Sequence, residues 1–131
     1  MIRPRVVLAD DHEEILQAEA ALLRPHFDVV GVARDGAALI TEVERLHPDV
    51  VILDITMPNM GGIDVVRKLR NSGSDVKFVF LTVHSEEEFV NACMSEGARG
   101  YVWKSRMKAH LVPAVYSALD GGRYVSPLTP A

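Results

Sequence analysis

Two groups of carboxylates stand where a parallel sheet would present them to a ligand. Asp54 ends the run Val50-Val51-Ile52-Leu53, and Asp10-Asp11 end the run Val6-Val7-Leu8-Ala9. Both runs are short, apolar and rich in β-branched residues, the pattern of strands buried on both faces. Open α/β sheets bind their ligands outside the carboxyl ends of such strands. Clustered like charges are unfavourable there: two unit charges about 4 Å apart repel by roughly 4 kcal/mol at an effective dielectric of about 20. A divalent cation relieves that repulsion. Mg²⁺ is the ion indicated, because it prefers oxygen ligands and keeps several waters, and Mn²⁺ is a chemical substitute.

Two further strand ends add the complementary groups. Lys77–Thr82 ends in a small hydroxyl, and Gly100–Trp103 is followed by Lys104. Acids, hydroxyl and amine thus converge from four strands on one sheet edge. Hydroxyl, amine and metal are the groups that hold the equatorial oxygens of a phosphoryl group during transfer. The three acids and Lys104 leave a charge that a divalent ion neutralises, and a phosphoryl group on Asp54 would add about −2. After Asp54, the loop Ile55-Thr56-Met57-Pro58-Asn59-Met60-Gly61-Gly62 breaks before the next helical pattern and leaves the acid at the mouth of the sheet. Taken singly, Asp10-Asp11 read equally well as a helix N-cap, Thr82 as a strand end and Lys104 as a solvated lysine. Their convergence favours a site.

The elements that must position these residues follow from periodicity. Strands are predicted at Arg5–Ala9, Asp28–Ala33, Val50–Asp54, Lys77–Thr82 and Gly100–Trp103. Helical stripes fall at Glu13–Leu23 (Ile15, Ala18, Leu22, Leu23), Ala37–Leu46, Ile63–Arg70 and Glu86–Glu96. A last helix is expected to start near Ala109 or His110, since Pro113 belongs in a first turn, and to end at Gly121-Gly122. Strands alternating with helices predict a doubly wound parallel α/β sheet of five strands. Residues 121–131 carry two glycines, two prolines and no period, and read as a linker or a truncated boundary.

Composition narrows the function classes. The 131 residues make one domain, residues 1–120, with a net charge of −4, which argues against direct binding to nucleic-acid phosphates. A lone cysteine, Cys93, fits a reducing compartment and reads as a small buried hydrophobe. No apolar stretch approaches the ~20 residues of a membrane span. The chain is expected to be soluble and cytoplasmic, without membrane contact. The five histidines have no metal-ligand spacing, and His12 reads as a local residue of the first helix start.

The set Asp10-Asp11, Asp54 with Met57-Pro58 and Gly62, Thr82 and Lys104 resembles the CheY-like receiver domain of two-component response regulators over about residues 5–120. That resemblance implies a flavodoxin-like fold with strand order 2-1-3-4-5. It implies phosphorylation of Asp54 by the phosphohistidine of a sensor histidine kinase, in a Mg²⁺-dependent reaction. Asp11, Asp54 and the backbone carbonyl of Thr56 would be metal ligands, with Asp10 acting through water. Lys104 and Thr82 would contact the phosphoryl group, and Tyr101 matches the aromatic switch that turns inward as Thr82 moves. The alternative for Tyr101 is a plain packed tyrosine.

Leu8-Ala9-Asp10-Asp11-His12, Gly97-Ala98-Arg99-Gly100-Tyr101-Val102 and Gly121-Gly122-Arg123-Tyr124-Val125-Ser126-Pro127 further resemble the NarL/FixJ (LuxR-type) transcriptional regulators. There the last stretch leads into a helix-turn-helix output domain; the 131 residues are expected to be a receiver cut from a longer regulator or a stand-alone receiver, and DNA binding would require that output domain. The implied output is a change of conformation and dimerisation, through the last helix or the face of the fourth helix and fifth strand, that controls transcription.

Two departures stand out. Ser105 follows Lys104 where many receivers have a proline after a cis bond; a non-proline cis bond costs about 3 kcal/mol, which favours a trans bond and a differently shaped loop. Val83 is bulkier than the Ala or Ser common after the threonine, and is read as tuning access to the phosphoryl group. The chain is not read as an enzyme. The enzymatic rival, a haloacid dehalogenase-type phosphatase, wants a second Asp where Thr56 stands and a cap-sized insertion. A flavin carrier of the same architecture wants a neutral, hydroxyl-rich loop in place of Asp10-Asp11. A phosphate-independent interaction module would have no use for the complete set.

Overall fold

Side chains along each central strand alternate between two cores, one on each face of the sheet. The computed structural model describes residues 3–126. Its strands are β1 (Arg5–Ala9), β2 (Asp28–Ala33), β3 (Val50–Leu53), β4 (Lys77–Thr82), β5 (Gly100–Trp103) and β6 (Tyr124–Val125). Its helices are α1 (Glu13–Leu23), α2 (Gly36–Leu46), α3 (Gly62–Asn71), α4 (Glu87–Ser95) and α5 (Met107–Leu119), with one 3₁₀ turn at Lys104–Arg106. The sheet runs β2-β1-β3-β4-β5-β6, and every neighbouring pair is parallel.

Val6, Leu8, Val50, Ile52, Val79, Leu81 and Val102 face one core, closed by α1 and α5 through Leu16, Ala20, Leu23, Leu111, Ala114, Val115 and Ala118. Their neighbours Val7, Ala9, Val51, Leu53, Phe78, Phe80, Tyr101 and Trp103 face the other, closed by α2, α3 and α4. This is the flavodoxin-like α/β fold expected, with one strand more than predicted.

The sixth strand corrects the sequence reading. Tyr124–Val125, inside the segment read as linker, pair in parallel with Gly100–Tyr101. Two residues are too short to show a period, so composition alone marked them as irregular. Residues 127–131 of that segment lie outside the described residues. A second correction is α5, which starts at Met107 rather than near Ala109. Pro113 sits well inside the helix, but both it and Ala109, whose carbonyl loses its partner, are exposed, so water serves in place of the missing N–H. A third is the stripe of α1. Leu16, Glu19, Ala20 and Leu23 are buried, whereas Ile15, Ala18 and Leu22 are half-buried. The helix is apolar on most sides, so the wheel left its inward face open to a small rotation.

Glycine matters most at Gly62. A Cβ there would lie 2.1 Å from the carbonyl oxygen of Asp54. The Gly62 N–H donates to the Ile55 carbonyl at 2.7 Å. This close approach holds the loop after Asp54 against the start of α3. No helix among the described residues is long and apolar enough to cross a membrane.

Candidate phosphoacceptor site

The ends of β1 and β3, together with the residue after β5, bring Asp10, Asp54 and Lys104 together. Lys104 Nζ lies 2.7 Å from Asp10 Oδ2 and 2.8 Å from Asp54 Oδ2. Both acids are buried and the lysine side chain is only 8% exposed, so this triad is shielded from bulk water. Asp54 Oδ1 accepts the Ile55 amide at 2.7 Å, which orients the carboxylate. Among the described residues no peptide bond is cis, so Lys104–Ser105 is trans, and the lysine reaches both acids all the same.

Burial works against the charge of Lys104, but its hydrogen bonds to Asp10 and Asp54 outweigh burial and hold its pKa above the usual lysine value. Two acids against one cation still leave the pocket negative. That field reaches Glu19 on α1: burial first, then Asp10, raise its carboxyl well above the ordinary range. Glu19 is 1% exposed, and its Oε2 has no hydrogen-bond partner.

Asp11 is more exposed and meets Asp10 through His12. The His12 Nδ1 is 3.1 Å from Asp10 Oδ1 and 3.0 Å from Asp11 Oδ1, and the His12 amide donates to Asp10 Oδ1 at 3.0 Å. Asp10, Asp11 and His12 offer ligand atoms within 4.8 Å of one another. Asp54 is not part of that tight group. The acidic oxygens, the surplus negative charge and the hard donor chemistry fit a divalent ion such as Mg²⁺. His12 is the exposed residue at the start of α1, as read from the sequence, with its ring beside both carboxylates.

Thr82 is fully buried at the end of β4, and its hydroxyl accepts the His84 amide at 3.3 Å rather than contacting Asp54. Thr56 is exposed, with its hydroxyl 2.9 Å from His84 Nε2. Val83 is 70% exposed. Tyr101 is turned inward and fully buried, and its hydroxyl donates to the His84 carbonyl at 2.6 Å. Trp103 Nε1 donates to the same oxygen at 2.9 Å. Burial pushes the Tyr101 hydroxyl above the usual tyrosine range, so it remains a donor.

Sequence reasoning overlooked His84, Trp103 and Glu19. A signal existed for Trp103, which is two positions from Tyr101 on the same face of β5. For Glu19 the signal was its spacing from Leu16, Ala20 and Leu23. His84 gave none, because its role rests on a backbone carbonyl.

The sequence profile of the response regulator receiver domain matches residues 6–116. Response regulator GacA of Pseudomonas viridiflava is 36% identical over 125 residues, covering 94% of this chain and 58% of that protein. Transcriptional regulatory protein DegU of Brevibacillus brevis is 34% identical over 125 residues, covering 94% of this chain and 53% of that protein. The chain therefore spans little more than half the length of these curated relatives. Among solved structures, a LuxR-family two-component response regulator from Aurantimonas sp. SI85-9A1 superposes with a TM-score of 0.90 at 33% identity, covering 95% of this chain and 91% of that one. The signal receiver domain of NarL from Mycobacterium tuberculosis superposes with a TM-score of 0.88 at 30% identity, covering 92% and 99%. These are signalling switches, which sets aside the haloacid dehalogenase alternative. The chain belongs to the response regulator receiver domain family, among relatives of the NarL/LuxR kind.

Proposed function

We propose that Asp54 accepts a phosphoryl group from the phosphohistidine of a sensor histidine kinase. The donor P–N bond breaks with its electrons left on the histidine nitrogen, and a P–O bond forms to the Asp54 carboxylate. The observation that carries this reading is the placement of Lys104 Nζ within 2.8 Å of both Asp54 and Asp10, a buried acceptor with its cation in place. Asp11, Asp54 and the Thr56 carbonyl would hold Mg²⁺, or Mn²⁺ in its stead, with Asp10 acting through water. The ion, when bound, neutralises charge developing on the phosphoryl oxygens. Lys104 orients the Asp54 carboxylate and meets the incoming negative charge, and Thr82 exchanges its His84 contact for a phosphoryl oxygen.

Movement of Thr82 then changes what the β4–α4 loop offers to Tyr101, and the surface of α4, β5 and α5 changes with it. The output is dimerisation through α5 or the α4–β5 face, and control of transcription by a DNA-binding domain following the receiver, with residues 121–131 leading toward it. Because Tyr124–Val125 occupy the outer edge of β5, a partner on that side would meet β6 as well. A cytoplasmic location follows from a cytoplasmic kinase partner.

Incubation with acetyl phosphate and Mg²⁺, followed by intact-mass measurement, should show one added phosphoryl group in the wild-type chain and none in Asp54→Asn. An unphosphorylated wild type, or a phosphorylated Asp54→Asn, sinks the reading.

A further inference from the structure

We propose that Ser126 is a positioning residue for Lys104, its hydroxyl anchoring the last amide of β5 and so setting where the lysine enters the acidic pocket. The proposal rests on the reading of Asp54 as phosphoacceptor. Ser126 lies beyond the matched span of residues 6–116, in a stretch that composition marks as linker. Yet it is only 2% exposed. An ordinary serine after an edge strand would face water.

The hydrogen bonds explain its burial. On the outer edge of β5, the Arg99 carbonyl accepts from the Tyr124 amide at 3.0 Å, and the Tyr101 carbonyl accepts from the Ser126 amide at 2.9 Å. The next group on that edge is the Trp103 N–H. The β6 ladder has ended by then, so no backbone carbonyl of β6 is its acceptor. The Ser126 hydroxyl takes that place, accepting from Trp103 N at 3.2 Å in a buried setting. Without it the amide would be a buried donor lacking a partner, and such groups are rare because they forfeit a hydrogen bond that water would otherwise supply.

Trp103 is the last strand residue before the 3₁₀ turn Lys104–Arg106. The peptide that Ser126 fixes, Val102–Trp103, is therefore one residue upstream of the lysine whose Nζ meets Asp10 and Asp54. A tilt of that peptide carries the whole Lys104 side chain with it. The β6 strand is itself held, with the Tyr124 hydroxyl 2.6 Å from His110 Nδ1 on α5. Ser126 thus holds Trp103 from just beyond a strand that is braced from behind.

The test compares Ser126→Ala and Ser126→Thr with wild type in the full chain. One readout is the rate of Asp54 phosphorylation by acetyl phosphate at saturating Mg²⁺. The other is the ¹³Cε resonance of Lys104 in lysine-labelled protein. Ser126→Ala should slow the transfer about five- to ten-fold, since an ångström of misplacement costs up to about a hundred-fold, and should shift the Lys104 resonance. Ser126→Thr, which keeps the hydroxyl, should restore both. A serine that merely stabilised the fold would lower the melting temperature and leave the resonance in place. Wild-type rate or an unmoved resonance in Ser126→Ala, or a Ser126→Thr that differs from wild type, overturns the proposal. If the alanine variant does not fold, the threonine variant alone decides, because it must match wild type in both readouts. If the wild-type chain takes no phosphoryl group, the reading of Asp54 fails, while the Lys104 resonance still judges Ser126.

Discussion

The phenol of Tyr101 and the carbonyl of His84 lie 2.6 Å apart, and the indole of Trp103 reaches the same oxygen at 2.9 Å. One carbonyl thus receives two donors from alternate residues of β5, and the loop after Thr82 is fastened to the strand that ends at Trp103, next to Lys104. A carbonyl oxygen has two lone pairs, so both bonds can be made together. Either alone still satisfies it.

Tyr101→Phe should therefore lower stability by about 1 kcal/mol, the typical net worth of one hydrogen bond. Trp103→Phe should lower it by a similar amount plus lost packing. The double variant should exceed the sum, because only then is the carbonyl orphaned. A double-mutant cycle by chemical denaturation checks this, and strict additivity would count against a shared latch.

Lys104→Met leaves Asp10 and Asp54 buried without their cation, and removing one partner of a buried pair costs about 3–5 kcal/mol. The loss should shrink as Mg²⁺ is added, which a melting titration would show. The wild-type pH dependence has a definite sign. With the folded pKa of Lys104 raised, its stabilisation is complete below the ordinary lysine value of 10.5 and is lost as pH rises through the higher folded value. Lys104→Met should lack that alkaline loss.

Glu19 has the same direction of pH dependence for a different reason, since burial favours its neutral form. Its folded pKa is raised, so the native state holds the proton more tightly than the unfolded chain does. Stability is greatest below the ordinary glutamate value of 4.5 and declines as pH climbs from there through the raised folded value. Glu19→Gln keeps the shape without the charge. It should match wild type near pH 4 and be the more stable protein at pH 8. Equal melting curves at both pH values would show that burial and the neighbouring acids do not hold the proton on Glu19.

Val83 follows the buried Thr82 and is itself 70% exposed. The role proposed for its bulk is to hinder the water that would hydrolyse an acyl phosphate. Val83→Ala should shorten the half-life of phosphorylated Asp54 about two- to five-fold, the scale expected of partial water exclusion rather than lost chemistry. An unchanged half-life would remove Val83 from the list of tuning residues.

The strands and their acidic ends were legible because buried parallel strands carry an unbroken apolar run, and a charge at its end has few structural roles. Asp10, Asp54 and Lys104 come together as the pattern indicates. What stayed hidden depends on partners far along the chain. β6 exists only because β5 offers it an edge, and its two residues have no period of their own. Glu19 is tolerated inside because it can remain protonated beside other acids, which a binary polar-apolar reading excludes. Pro113 misled because the solvent exposure of α5, which lets water replace a lost bond, is a tertiary property. The aromatic latch on His84 depends on a main-chain oxygen, which every residue type possesses.

Asp10 and Asp54 grow directly out of β1 and β3, strands flanked by other strands on both sides and almost wholly enclosed by the two cores. The charged centre is thereby welded to the part of the molecule that opens last, while Val83, His84 and Thr56 hang from connecting segments. Signal lifetime and partner choice can then drift by substitutions in those segments without jeopardising foldability. A single scaffold of this kind can serve many circuits that differ in tempo yet share one chemistry.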